Sequence, residues 1–240
     1  MAQKKYKLFA IANAIMAQKK YKLTDETKIN EDGIMLHRIQ ALKDFGKVKK
    51  GELGGWVEKE ENLSQEGECW VGGEAMVYGN ARVMNNAQVI GNAKVRGNAE
   101  IFDWAWIANE AIISDNANVF DRVLVFDKAQ VSEDALISEN VIIFGNAKVS
   151  GKAVIWNDAC IGENAQVFGN ALVHGNAVIS GNAKLFGNAL ISGNTVISKK
   201  IKITGGYFFH TTERPNKIVR VKTSEKKEVT LAYEPKIKEY

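Results

Sequence analysis

The run Asn164–Ile191 reads NAQVFGNALVHGNAVISGNAKLFGNALI, and its large aliphatic residues recur every sixth position, at Val167, Val173, Ile179, Leu185 and Ile191. The register extends in both directions. Steps of six from Val71 to Ile203 meet 23 positions, and every one is Val, Ile or Leu, with no insertion. Four residues after each, through Ile197, comes a small residue, Ala in most units, with Val123, Val141, Thr195 and Ile201 as exceptions. The two residues before it are often Gly-Asn, as at Gly79-Asn80, Gly91-Asn92, Gly145-Asn146, Gly169-Asn170 and Gly187-Asn188. The unit is V-x-G-N-A-x.

A period of six is not a helix period; it fits a short strand followed by a corner. The β-branched residue points inward from the strand. Gly and Asn tolerate the positive φ of a tight corner, and Ala leaves room where the chain crowds. Three units make one triangular coil. Coils stacked at about 4.8 Å would give a prism roughly 37 Å long. Asparagines stacked on asparagines would run along its edges. The chain's two prolines, Pro215 and Pro235, both lie outside the repeat, as uninterrupted ladders require.

Composition sets the class. The 240 residues are 45% hydrophobic and 25% charged, which describes a globular chain. Two cysteines, Cys69 and Cys160, cannot build a disulfide framework or a zinc cluster. No apolar run approaches the ~18 residues of a membrane-spanning helix, so no membrane partner is expected. The net charge of +4 is uneven: residues 1–62 carry +4, residues 63–198 carry −6 and residues 199–240 carry +6. An acidic middle argues against a nucleic-acid-binding stripe. MAQKKYKL at 1–8 recurs at 16–23, so residues 1–15 read as an extension or duplicated start rather than a secretory signal.

The hexads resemble the left-handed β-helix of the LpxA-like acyltransferases, and the handedness is implied by that resemblance alone. Ahead of them, Leu53-Gly54-Gly55-Trp56-Val57, Leu63-Ser64-Gln65 and Cys69-Trp70-Val71 resemble the YdcK-like proteins of bacteria and their phages. The expected fold is an all-β left-handed parallel β-helix of about 7–8 triangular coils, residues 63–204. It should carry a β cap on residues 16–62, with Trp56 over the first coil, and another on 205–240 with strands near Gly206–Thr211, Lys217–Lys222 and Glu228–Tyr233. Open solenoid ends need such caps. The expected location is the cytoplasm of a bacterial host.

Residues flanking each inward one sort into three outer faces. The first (Met76/Tyr78, Lys94/Arg96 and onward) reads as polar and wet. The second carries Trp106, Leu124, Phe126, Ile142 and Phe144; the third carries Phe102, Phe120 and Trp156. Strands apolar on both sides are buried on both sides, so these residues predict a homo-oligomer, with a trimer favoured by the resemblance. The alternative cover is a terminal segment folded back over the stripe.

Enzymes of the resembled class use a histidine as general base, and coenzyme A or acetyl-CoA is then the cofactor. The prism offers only His174, outward on the third face. It has no second polar residue close in sequence to orient it, and no inserted loop to cover it. One histidine cannot make a three-histidine zinc site, so no metal is expected. Trp70, Trp106 and Trp156 read as outward-facing. Trp106 and Trp156 with Arg82 or Arg96 could, between protomers, stack the base and hold the phosphate of a small nucleotide. The favoured reading is a non-catalytic oligomeric binding or scaffold protein, without a cofactor, acting on a host protein. A His174-based acyltransferase comes second, and a nucleotide-sequestering protein third.

Overall fold

The structure is a computed structural model that describes residues 19–208, and the backbone alone of 209–210, 219–222 and 228–231. The expected extension, residues 1–15, lies outside the described residues. The architecture is an all-β parallel β-solenoid with three outer faces, and no α-helix occurs among the described residues. No helix among them is long and apolar enough to cross a membrane. Two-residue strands pair in parallel with the strands one coil away, as Trp106–Ile107 does with Gln88–Val89 and Leu124–Val125. Face two is an eight-stranded sheet. Coil joins coil through main-chain bonds such as Lys94 N–H to Ala111 C=O at 2.9 Å and Arg96 N–H to Ile113 C=O at 3.0 Å. This is the left-handed β-helix architecture that the hexad resemblance implies.

The period accounts for the core. All 23 inward aliphatic residues are at most 1% exposed, and the small residue four places on is buried at every step from Ala75 to Ile201. Positive φ falls on the Gly of the Gly-Asn pair, not on its Asn. Where Gly is absent, Asn, Asp or Glu takes the left-handed slot, as at Asp121, Glu133, Glu139 and Glu163. Carboxylates there also accept the amide of the coil beyond, as Asp121 does from Glu139 N–H at 3.0 Å. The residue after each left-handed position forms the edge ladder: Asn80 donates to Asn98, Asn98 to Asn116, and Asn116 to Asp134, all at 2.9–3.1 Å.

The N-terminal cap is a three-stranded antiparallel unit, β1 (Tyr21–Ile29), β2 (Met35–Ala41) and β3 (Leu53–Val57). β3 then pairs in parallel with Met76–Val77, so the cap runs directly into face one. Val57 takes the inward slot above Val77. Trp56 consequently points outward: it does not cover the end of the prism but packs with Leu36 and Tyr78 on face one. The end is plugged instead by Lys20, Tyr21, Ile39 and Leu63, each at most 1% exposed.

The first coils of face one are not the wet surface their polar residues suggested, while farther along Lys148 is exposed and Gln130 and Gln166 are partly so. The β1–β2 hairpin lies across those first coils. Glu74 receives Lys28 at 3.1 Å, Arg38 at 3.0 Å and Trp56 Nε1 at 2.9 Å. At the hairpin tip, Asp32 accepts the Tyr78 hydroxyl at 2.9 Å and faces Arg96 at 3.8 Å, and Glu31 pairs with Lys94. A terminal segment does fold back over an outer face, then, but over the first one.

At the other end, Lys202–His210 stays in the solenoid. Its two halves pair in parallel with Lys184–Leu185 and Asn188–Gly193, and Phe208 takes the inward slot next to Ile191. The backbone segments Val219–Lys222 and Glu228–Leu231 form an antiparallel pair, where two strand-like runs were expected.

Candidate functional site: the open outer faces

In-register stacking of coil on coil turns each outward position into a column. On face two the column before the inward residue reads Trp106, Leu124, Ile142, Cys160, Val178, Val196, with Trp106 43% and Leu124 and Val196 each 37% exposed. The column after it carries Phe126 and Phe144, stacked at 5.7 Å and 15°. Gly162 in the next coil makes room for that stack, since a Cβ there would sit 2.3 Å from the Phe144 ring. Face three carries two further stacks, Phe102 on Phe120 at 4.8 Å and Trp156 on His174 at 4.3 Å. Flat aromatic ladders of this kind form because parallel in-register coils bring like positions together. The result is a rigid apolar surface, continuous along face two.

His174 lies half-buried with its ring nearly parallel to the Trp156 indole. Among the described residues no hydrogen bond orients either ring nitrogen. Ser192, one coil on, is fully buried and its Oγ meets the Tyr207 hydroxyl at 3.3 Å. A working general base is usually held by a hydrogen-bond partner, which fixes its tautomer and aim. Burial pushes the Cys160 thiol above its usual range, which disfavours the nucleophilic thiolate.

The structure does not bring the four nucleotide-site residues together within one chain. Trp106 is on face two, and Trp156 and Arg82 are on face three several coils apart. Arg96 is on face one, beside Asp32 of the hairpin. Arg82 faces Glu100 at 3.8 Å. Trp70 is not outward-exposed: at 4% exposure it is sandwiched by the cap, edge-on to Phe45 at 5.4 Å and to Tyr21 at 6.5 Å. Among the open, shallow grooves of the described residues are one of about 470 Å³ by Glu60, Gln65 and Arg82 and one of about 540 Å³ at the corner between faces three and two. Neither is lined by His174. The second contains Trp104, 60% exposed, which sequence reasoning passed over. The signal was present, because Trp104 stands in the slot that Asn occupies in most units. No cluster of metal-ligating side chains occurs among the described residues.

Solenoid, hexads and aromatic columns define a hexapeptide-repeat β-solenoid protein. A family model described as the YdcK beta solenoid repeat matches residues 165–181. The chain is also 40% identical over 60 residues to a protein of Escherichia coli (strain K12) named as an uncharacterized acetyltransferase, YdcK, over 22% of this chain. It spans only 18% of that relative's length. Over these stretches the chain is similar to YdcK-like hexapeptide-repeat proteins.

Proposed function

We propose that this chain is a non-catalytic assembly and binding protein that works as a homo-oligomer, a trimer in the favoured form, in the bacterial cytoplasm. The observation that supports it is the apolar column of face two, open from Trp106 to Val196 on a solenoid with no inserted loop. An isolated soluble protomer rarely leaves such a stripe uncovered. Two flat faces of stacked rings and aliphatics suit burial against a second copy, and the assembled surface would then receive a host protein.

Native mass spectrometry tests this. The expected result is a clean multiple of 26.5 kDa, falling to one protomer in the Phe126→Glu, Phe144→Glu double variant. A monomeric wild-type mass, or an unchanged oligomer in the variant, sinks the face-two assembly.

The relative's name favours one second reading, acetyl transfer from acetyl-CoA with His174 as base. On that reading acetyl-CoA raises the melting temperature, and His174→Ala abolishes turnover while sparing binding. No binding and no turnover would remove it.

A further inference from the structure

The solenoid buries one amine against one thiol. Lys20, at the start of the cap, is 1% exposed, and Cys69, at a corner of the first coil, is 0% exposed. Lys20 Nζ lies 3.2 Å from Cys69 Sγ. Its other hydrogen-bond acceptors are main-chain carbonyls, of Cys69 at 2.9 Å, Glu66 at 3.2 Å and Gly67 at 3.4 Å, and the Phe45 ring lies 5.2 Å away. No carboxylate lies within ion-pair distance of this ammonium among the described residues. A buried cation held only by neutral acceptors is costly, and burial accordingly lowers the basicity of Lys20. Burial also raises the Cys69 thiol, with Lys20 opposing it, so both partners are pushed toward their neutral forms. A neutral amine is a nucleophile, and it stands beside the sulfur. Cys69 occupies a slot that nearly every other unit fills with Ala, so packing alone does not call for sulfur.

We propose that Lys20 and Cys69 form a site of oxidative cross-linking, in which a peroxide joins Nζ to Sγ and ties the N-terminal cap to the first coil. In the first step the Cys69 thiol passes its proton to the Lys20 amine 3.2 Å away and, as the thiolate, takes one oxygen from hydrogen peroxide; the ammonium returns the proton to the departing hydroxide, leaving a sulfenic acid, one water and a neutral amine. The Lys20 amine then attacks that sulfur. An N–S bond forms, the S–O bond breaks, and the hydroxyl leaves with an amine proton as a second water. The sulfur loses two electrons and the peroxide gains them. The product is two hydrogens lighter than the reduced chain, and thiol reductants reverse it. The link spans 49 positions of sequence, so it should stabilise by restricting the unfolded chain, raising the melting temperature by about 5–10 °C.

The test uses the full chain in a Cys160→Ser background, treated with hydrogen peroxide and mapped by peptide mass spectrometry. The expected species joins the Lys20 and Cys69 peptides, two hydrogens below their summed mass, disappears with dithiothreitol and accompanies the rise in melting temperature. Cys69→Ala, which restores the repeat's usual residue and should fold, loses both effects. Cys69 left unmodified, Cys69 taken on to sulfinic acid without a link, or a Cys69→Ala protein that still gains melting temperature would each overturn the proposal. The mass shift with Lys20 and Cys69 both in place decides the matter even if a Lys20 variant fails to fold.

Discussion

Faces one and two have the same inner side and opposite outer fates. Over the first coils of face one the chain covers itself: the β1–β2 hairpin brings Leu36, Trp56 and Tyr78 to 0%, 5% and 3% exposure. On face two, residues as apolar as these stay open, with Trp106 at 43% and Leu124 at 37%. The covered face is held by charge and hydrogen bonds around Glu74 and Asp32. The open face has no charged group in the column from Trp106 to Val196 with which to hold a strap. The cover that the chain supplies itself has ion pairs beneath it; the column left apolar is the one that the proposed assembly would bury.

The largest effects should ignore the difference between faces. Ile113 (face one) and Ile143 (face two) are both 0% exposed. Each changed to Ala should lose about 3–4 kcal/mol of unfolding free energy in denaturant titration. Values differing by more than about 2 kcal/mol, beyond the scatter that local collapse explains, would show that the faces are not equivalent inside.

Outward substitutions should then split the faces. Leu36→Ser should cost about 3 kcal/mol, whereas Leu124→Ser in a dilute, dissociated protomer should cost under about 1 kcal/mol. If Leu124→Ser costs as much as Leu36→Ser and the cost depends on protein concentration, a second copy covers face two, which sharpens the contrast.

Glu74 tests the strap itself. Glu74→Ala should cost about 1–2 kcal/mol, discounted for the partial exposure of its carboxylate. Desolvation raises its pKa, but hydrogen bonds from Lys28, Trp56 and Arg38 and the charge of Lys28 outweigh it and hold the carboxyl below its usual 4.5. A depressed native pKa means that the contribution is present above the unfolded value and is lost as pH falls through the native one. Protection against hydrogen exchange at Leu36 and Ile39 should therefore fall below pH 4.5, while protection at Ile143 holds. A parallel fall at all three would remove the strap from the account.

The smallest effect concerns a corner. Glu133 holds φ of +59° with an L side chain. Glu133→Gly should raise stability by about 0.5 kcal/mol, the relieved backbone strain exceeding the added chain entropy. A loss would mean that the side chain contributes at that edge.

The strict six-residue step from Val71 to Ile203 makes the solenoid legible, because a parallel coil repeats one local environment turn after turn. The aromatic columns are legible for the same reason. The covered face is not, because its contacts join distant residues, such as Asp32 with Tyr78 and Glu31 with Lys94. Trp70 and Trp56 escape the pattern for a related reason. Trp70 is outward by period and Trp56 lies ahead of the hexads, yet the cap buries both, and periodicity carries no information about what lies opposite a slot. Trp104 escapes it in the opposite sense, as a departure from the repeat that the repeat itself conceals.

Local, periodic chemistry therefore determined the inner side of this protein: which residues face inward, where the corners turn and which columns are apolar. Only the tertiary structure decided where the chain lays its own hairpin, over the first coils of face one, and that Lys20 meets Cys69. The inner side is built from contacts that recur at one fixed spacing and can be counted along the chain. The outer cover and the amine–thiol pair depend on single long-range contacts, which no spacing announces.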